Sequence, residues 1–129
     1  MIAIDTSALM AIVLGEPLAD ACAAAAEEAD HLVISASTLA EALIVAGQRG
    51  VLARMERLVD DLDLEVLTVN VQAARRVAEA YRRWGKGVHP AGLNLGDCFA
   101  YEAAARQGCP LLFIGGDFAK TDLTQALAD

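Results

Sequence analysis

Short apolar runs alternate along this chain with longer segments of helical periodicity, and this alternation restricts the fold more than any other feature. The apolar runs lie at residues 2–5, 31–35, 65–69 and 111–114. Strands separated by helices form parallel sheets through right-handed crossovers, with helices on both faces. We therefore predict a three-layer α/β sandwich around a mainly parallel sheet of four to five strands, in a single domain over residues 1–129. The last run is wholly apolar, which predicts a central strand.

Capping residues and apolar spacing locate the helices. Ser37 is predicted to cap a helix that carries Glu41 in its first turn. Asn70 is predicted to cap another helix, and the arginines lie on its polar side. The predicted apolar face of that helix consists of Val71, Ala74, Ala78 and Tyr81. A further helix is expected over residues 95–107, ended by Gly108.

The composition argues against several classes of protein. No apolar run reaches the roughly 20 residues that cross a bilayer, and no basic segment precedes a long apolar stretch at the N-terminus. We therefore expect a cytoplasmic protein with no membrane partner. Three cysteines without a CxxC pair favour reduced, mostly buried thiols. The two histidines, His31 and His89, are far apart in sequence, which argues against a zinc site.

Four carboxylates are placed where a parallel sheet would bring them together. Asp5 follows the first apolar run and Asp117 follows the last, and α/β folds bind ligands beyond the carboxyl ends of strands. Glu41 and Asp97 lie near helix starts among apolar or small residues. Partly buried acids without a cation repel one another and raise their pKa values, and hard divalent cations prefer oxygen ligands. The pattern therefore indicates a site for Mg²⁺, with Mn²⁺ as a substitute.

Each acid also has a purely structural interpretation. Asp5 can cap the first helix, and the helix dipole favours an acid at the position of Glu41 or Asp97. Asp117 can be a turn residue. The case for a site rests on the combination, because charged side chains in apolar surroundings are seldom left without a partner.

A metal site of this kind suits attack on a phosphate. A bound divalent ion acidifies water for in-line attack and offsets charge on the leaving oxygen. Thr6 and Ser7 place hydroxyl groups beside Asp5 that can position a water or the scissile phosphate. Helix capping explains these two hydroxyls equally well.

The most specific motif of the chain is residues 94–101, Asn-Leu-Gly-Asp-Cys-Phe-Ala-Tyr. Together with residues 4–9, Glu41 and residues 111–122, it resembles the VapC-type toxins, which are PIN-domain ribonucleases of type II toxin–antitoxin pairs. The resemblance covers essentially the whole chain. It implies a PIN-domain-like fold and an endoribonuclease that uses Mg²⁺ or Mn²⁺ and a metal-activated water to hydrolyse RNA phosphodiester bonds. It also implies a tRNA or rRNA substrate, a cognate VapB-type antitoxin and a homodimer.

The resemblance also assigns the site residues. The first three family acids are matched by Asp5, Glu41 and Asp97. The family often has two adjacent acids before a phenylalanine, and here Gly116 replaces the first of them. Asp117 then fits the fourth position best, with Asp122 as a rival. Asn94 is commonly present near the site, where its side-chain amide can orient an acid or a phosphate.

Other functions fit these residues less well. A receiver-type signalling domain needs an adjacent acid pair after the first strand and a lysine at the end of the last one. A haloacid-dehalogenase-type phosphatase needs Asp-x-Asp, and this chain has Asp-Thr-Ser at residues 5–7. The alternative that remains is a catalytically weak or inactive PIN scaffold that serves mainly as a partner-binding subunit.

Basic residues are concentrated in one segment of an acidic chain. The net charge is −8, which by itself argues against a nucleic-acid partner, yet five of the ten basic residues lie between positions 75 and 86. They are Arg75, Arg76, Arg82, Arg83 and Lys86. They form either a solvated helix face, with Glu79 paired to a neighbouring arginine, or a rim that guides RNA toward the glycine-rich loop.

Overall fold

A four-stranded, all-parallel sheet forms the centre of the computed structural model, which describes residues 1–127. The last two residues of the predicted domain lie outside the described residues. The strands are β1 (Ile2–Ile4), β2 (Leu32–Ser35), β3 (Glu65–Leu67) and β4 (Leu111–Leu112). They pair in the order β3-β2-β1-β4. The predicted α/β class and parallel sheet are confirmed.

Helices cover both faces of the sheet. They are α1 (Thr6–Leu14), α2 (Ala19–Glu28), α3 (Ala36–Gln48), α4 (Leu52–Leu62), α5 (Val71–Trp84) and α6 (Leu95–Gln107), with a 3₁₀ turn at Phe118–Lys120. Because side chains alternate along a strand, Ala3 of β1 packs in the core with α5 and α6, while Ile4 packs in the core with α1 to α4. The predicted three layers are confirmed.

The prediction that residues 111–114 form a central strand is wrong, because β4 is at the end of the strand order. The following segment covers its outer edge. The backbone N–H of Leu111 donates to the Thr124 carbonyl at 2.9 Å, and the Ala126 N–H donates back to Leu111 at 2.9 Å. An edge strand that is covered in this way, with helices on both faces, needs the same apolar composition as a central one.

Two helix assignments are corrected by the structure. The cap of α3 is Ser35 rather than Ser37, and its hydroxyl oxygen accepts from the Ser37 N–H at 3.3 Å. Since α3 begins at Ala36, Glu41 lies in its second turn and not in its first. Ser35 directly ends β2, so the strand passes into the helix with no intervening loop.

The apolar face of α5 is also different from the prediction. The buried residues are Ala73, Val77, Ala80 and Trp84, whereas the predicted stripe is exposed, with 61% exposure at Val71 and 38% at Tyr81. Both stripes have helical spacing, so periodicity alone does not distinguish them. The stripe that contains Trp84 faces the core, as the Trp84 packing against Tyr101 of α6 indicates.

A buried ion cluster joins α5 to α6. Glu102, which is 2% exposed, accepts bonds from Arg106 at 2.6 and 2.8 Å and from Arg76 at 3.0 Å. A buried carboxylate requires such partners, and these bonds set the position of α6 against α5. The first turn of α6 carries Asp97, so this cluster also supports the candidate site.

Two further features complete the fold. Within residues 1–127, no single helix is long and apolar enough to cross a membrane, although the bent pair of α1 and α2 meets that criterion in length and composition when taken together. Cys22 and Cys98 are buried and Cys109 is half-buried, all as free thiols. Burial and, to a smaller extent, the neighbouring Asp97 carboxylate raise the pKa of the Cys98 thiol to about 11, so this thiol stays protonated.

Candidate active site

Asp5 is the most deeply buried acid of the predicted site, with 5% exposure. It caps α1, and its Oδ2 accepts from the backbone N–H of Ser7 at 3.0 Å and from the Ser7 hydroxyl at 2.7 Å. Burial, reinforced by the nearby carboxylates of Asp97 and Glu41, raises its pKa from 3.8 to about 6 despite the two Ser7 bonds. The capping role of Asp5 is therefore compatible with its predicted role in the site.

Ser7 links Asp5 to the end of the sheet. Its hydroxyl donates to Asp5 and accepts from the backbone N–H of Ile114 at 3.0 Å. The backbone N–H of Asp5 donates to the Leu112 carbonyl of β4 at 3.0 Å. The strand end that leads to Asp117 is thus joined to the start of α1, as the topology of a parallel sheet predicts.

Glu41 reaches the site from the second turn of α3. The Thr6 hydroxyl donates to its Oε1 at 2.7 Å, with the carbonyl of Thr38 a longer alternative acceptor at 3.3 Å. Its Oε2 lies against the backbone of Gly96, where an added Cβ would be only 2.4 Å away. Glycine at this position of α6 therefore allows the Glu41 carboxylate to approach the helix that carries Asp97.

Asp97 is held by a reciprocal pair of bonds at the start of α6. Its Oδ2 accepts from the backbone N–H of Asn94 at 3.0 Å, and its own N–H donates to the Asn94 Oδ1 at 2.8 Å. This is a capping box, which fixes the carboxylate relative to the helix axis. Burial raises the pKa of Asp97 although the Asn94 bond lowers it, and the charges of Asp117 and Glu41 add to the rise.

The structure separates the two candidates for the fourth acid. Asp117 is exposed at the 3₁₀ turn, and its charge acts on Asp97. Asp122 is instead engaged away from the acids, because it accepts from the Tyr101 hydroxyl at 2.7 Å and lies 3.7 Å from the guanidinium of Arg83. The geometry therefore favours Asp117 over Asp122.

The four acids gather at the carboxyl end of the sheet but remain spaced. The charges of Asp97 and Glu41 raise the pKa of Asp5, and the charges of Asp117 and Glu41 raise the pKa of Asp97, in each case after the larger effect of burial. Within residues 1–127, no three His, Cys, Asp or Glu side chains are close enough to form a complete metal-ligand set. Mg²⁺ commonly binds through one or two carboxylates and retains water ligands, so this all-oxygen donor set fits it.

The basic residues of α5, together with Lys86 just after it, differ in their partners and positions. Arg76 is bonded to Glu102, Arg82 is paired with Glu79 at 2.8 Å, and Arg83 lies over the ring of Trp84 at 4.5 Å. Arg75 and Lys86 are exposed. Arg82 and Lys86 line one groove beside Asn94, whereas Arg76 and Arg83 line a smaller cavity between α5 and α6.

Sequence reasoning missed two residues that shape the site. Gly96 is required by the close approach of Glu41, and the signal was a glycine inside the first turn of a helix, where alanine is favoured. Tyr101 holds Asp122 through its hydroxyl, a contact that joins α6 to the segment after the 3₁₀ turn. Its position in sequence does not indicate this contact.

The chain matches known proteins along nearly its full length. The family model for the PIN domain matches residues 2–123. Ribonuclease VapC36 of Mycobacterium tuberculosis is 45% identical over 124 residues, covering 93% of this chain and 89% of that protein. The chain belongs to the VapC family of PIN-domain ribonucleases. Ribonuclease VapC42 of the same species is 42% identical over 127 residues, covering 95% of the chain and 97% of VapC42.

Solved structures confirm the PIN-domain fold of this VapC-family chain. The crystal structure of Mycobacterium tuberculosis VapC20, described as a sarcin–ricin loop cleaving toxin, superposes with a TM-score of 0.81 at 15% identity, covering 99% of this chain and 100% of that one. A toxin–antitoxin complex from Klebsiella pneumoniae superposes with a TM-score of 0.74 at 17% identity, covering 100% of each chain.

Proposed function

We propose that this VapC-family protein is a Mg²⁺-dependent endoribonuclease, with Mn²⁺ as a substitute, and that its active site is the acid cluster. The cluster consists of Asp5, Glu41, Asp97 and Asp117. The observation that carries the proposal is the convergence of these acids from four separate segments, with raised pKa values at Asp5 and Asp97. Burial, together with the smaller repulsion between the carboxylates, disfavours the ionised cluster unless a cation compensates its charge.

Three neighbouring residues hold the acids in place for binding. Ser7 donates to Asp5, Thr6 donates to Glu41, and Asn94 bonds Asp97 through its backbone N–H. Each of these bonds engages one oxygen of the carboxylate and fixes the orientation of the whole group. Metal ligands positioned in this way lose little conformational entropy on binding.

In this proposal the acids bind the cation, and Asp5 releases a proton when the cation binds. The chemistry that a bound divalent ion supplies is activation of the attacking water and compensation of negative charge on the scissile phosphate. With a pKa of about 6, Asp5 holds a proton for part of the time just below neutral pH when no cation is bound. Binding of the cation requires the ionised form, so it releases that proton.

The substrate and partners follow from the family membership. We propose a tRNA or rRNA substrate, in line with the description of VapC20 as cleaving the sarcin–ricin loop. We also propose a cognate VapB-type antitoxin as inhibitor, supported by the toxin–antitoxin complex of similar fold. A homodimer remains a prediction from the resemblance, and a cytoplasmic location remains a prediction from the composition.

The proposal is tested by RNA cleavage with the purified chain, freed of any antitoxin. Total RNA is incubated with Mg²⁺, with Mn²⁺ and with EDTA, in parallel with Asp97→Asn. Asparagine keeps an oxygen that can accept from the Asn94 N–H, so the capping box survives while the charge is lost. Asp60→Asn, at an exposed position on α4, is the control for the same change of charge.

We expect metal-dependent cleavage by the wild type and by Asp60→Asn, and none by Asp97→Asn. Cleavage in EDTA, or equal cleavage by Asp97→Asn, would rule out the metal mechanism at these acids. Absence of cleavage by the antitoxin-free, metal-loaded chain would favour an inactive scaffold instead.

A further inference from the structure

The fourth acid of the cluster is connected to the sheet through two glycines. Asp117 follows Gly115 and Gly116, and within residues 1–127 an added Cβ at either glycine would meet no atom within 4 Å beyond its chain neighbours. Gly115 also has a φ of 110°, which other residues rarely adopt, so this connection is conformationally permissive. On the strand side, the N–H of Ile114 is fixed by its bond to the Ser7 hydroxyl. The position of Asp117 therefore depends on the segment that follows it.

Hydrogen bonds make that following segment one unit with Asp117. The N–H of Lys120 donates to the Asp117 carbonyl at 3.2 Å. The N–H of Thr121 donates to the Phe118 carbonyl at 3.0 Å, and the Thr121 hydroxyl donates to the same carbonyl at 2.6 Å. This hydroxyl also accepts from the Leu123 N–H at 3.2 Å. A displacement of one end of the unit therefore displaces Asp117 as well.

A ring contact and a side-chain hydrogen bond join this unit to the rest of the protein. The Phe118 ring is buried and packs against Phe113, with 5.2 Å between the ring centroids. At the other end of the unit, Asp122 accepts from the Tyr101 hydroxyl of α6 at 2.7 Å. Packing between apolar rings is weakly directional, whereas a hydrogen bond fixes both a distance and an angle. The Tyr101 bond is therefore the directional contact of the unit.

The Tyr101 hydroxyl is suited to a permanent contact because it is buried and protonated. Tyr101 is 8% exposed, so its hydroxyl requires a partner within the protein. Burial raises the pKa of Tyr101, and the bond to Asp122 raises it as well. A bond from a neutral donor to a carboxylate is among the stronger hydrogen bonds of proteins. The guanidinium of Arg83 also lies near Asp122, but at 3.7 Å and half-exposed it contributes little.

We propose that Tyr101 is a positioning residue of the active site, which acts through Asp122 to place the Asp117 carboxylate for the divalent cation. The proposal rests on the nuclease function proposed above and adds a residue to its site. Tyr101 holds the unit after the glycines, and the unit holds the acid. The alternative role of Asp122 is that of a metal ligand, and variants of Asp122 distinguish the two.

The test measures Mn²⁺ affinity by electron paramagnetic resonance with no RNA present. Tyr101→Phe removes the hydroxyl and keeps the buried ring. Asp122→Ala removes the acceptor at a half-exposed position, and it provides the test if Tyr101→Phe proves unfolded in urea titrations. Asp122→Asn keeps an oxygen that can accept from Tyr101. Thr124→Val is the control, because it removes an exposed hydroxyl from the same part of the chain.

We expect Tyr101→Phe and Asp122→Ala each to weaken Mn²⁺ binding about three- to tenfold, less than the loss of a group that bonds a ligand directly. Asp122→Asn should restore an affinity close to that of the wild type, and Thr124→Val should not change it. In an Asp117→Asn background, Tyr101→Phe should cause no further loss, because the group that it positions is absent.

Three results would overturn the proposal. The first is wild-type Mn²⁺ affinity in both Tyr101→Phe and Asp122→Ala. The second is an equal loss from Tyr101→Phe with and without Asp117→Asn, which is the result that a general structural role predicts. The third is a loss in Asp122→Asn as large as that in Asp122→Ala, which would make Asp122 itself a ligand.

RNA cleavage separates the positioning role from the function on which it rests. Metal-dependent cleavage that is lost in Asp97→Asn, with no effect of Tyr101→Phe on either kcat/KM or Mn²⁺ affinity, would leave the nuclease and overturn the positioning role. The selective loss of Mn²⁺ affinity in a chain that does not cleave RNA would support the positioning role and contradict the nuclease. In a chain that cleaves, saturating Mn²⁺ should recover the activity of Tyr101→Phe.

Discussion

Gly96→Ala should separate the activity of this protein from its stability. The added Cβ would lie 2.4 Å from Glu41 Oε2 and 3.2 Å from its Cδ. Ordinary contact begins near 3.4 Å, so the carboxylate must retreat by roughly 1 Å, and a shift of that size can reduce catalysis about 100-fold. The retreat also stretches the 2.7 Å bond that Thr6 donates to Glu41.

The same change should leave the fold intact. The obstructing atom is the end of a flexible side chain, and alanine is favoured over glycine in a helix by up to about 1 kcal/mol. The strain on the Glu41 rotamer offsets part of this gain, at about 1 kcal/mol. We therefore expect the free energy of unfolding to remain within about 1 kcal/mol of the wild type.

The assay compares kcat/KM for metal-dependent RNA cleavage with urea unfolding for the same samples. Gly47→Ala on α3 is the matched control, because a Cβ at this exposed glycine meets no atom within 4 Å. Wild-type cleavage by Gly96→Ala would refute the reasoning that the position of Glu41 matters. So would a loss of activity that is accompanied by unfolding, or a similar loss in Gly47→Ala.

Three further predictions follow from the ion pairs and acids. Glu102→Gln should lower the free energy of unfolding by about 2 kcal/mol, since it removes the charge that accepts bonds from Arg76 and Arg106, which are themselves partly exposed to water. A loss below about 0.5 kcal/mol in urea unfolding would contradict this. In EDTA, the raised pKa of Asp5 should cost the wild type about 3 kcal/mol of stability as the pH rises from about 4 to about 6, because the protonated form is favoured in the fold. The stability difference between Asp5→Asn and the wild type should therefore grow over that window and be constant above it, and a constant difference throughout would argue against the burial of this charge. Asp117→Asn should reduce kcat/KM roughly tenfold or more, whereas Asp122→Asn should leave it nearly unchanged; the reverse order would make Asp122 the fourth acid.

The fold was largely predictable because its rules are local. Alternating apolar runs and helical segments indicate a parallel sheet with two helical layers, and a capping residue such as Asn70 marks a helix start directly. The errors concern position within the sheet and within a helix. An apolar run indicates that a strand is buried on both faces, and β4 is buried in this way although it lies at the edge of the sheet. Two stripes of α5 have helical spacing, and the sequence does not show which of them packs against the core.

The candidate site was predictable as a set of acids but not as a geometry. Asp5 and Asp117 follow strands that must end at one edge of the sheet, so their proximity follows from topology. The bonds that fix the acids depend on side-chain contacts between segments far apart in sequence, such as Thr6 with Glu41 or Ser7 with Ile114. The engagement of Asp122 by Tyr101 is likewise a tertiary contact, and it distinguishes the two rival acids.

The central claim is that the acid cluster binds a divalent cation, and direct binding tests it without reference to any RNA. Mn²⁺ binding is measured by electron paramagnetic resonance at neutral pH for the wild type, Asp97→Asn and Asp60→Asn. We predict that Asp97→Asn weakens binding at least about tenfold and that Asp60→Asn binds like the wild type. Equal Mn²⁺ affinity in the wild type and Asp97→Asn would contradict the account.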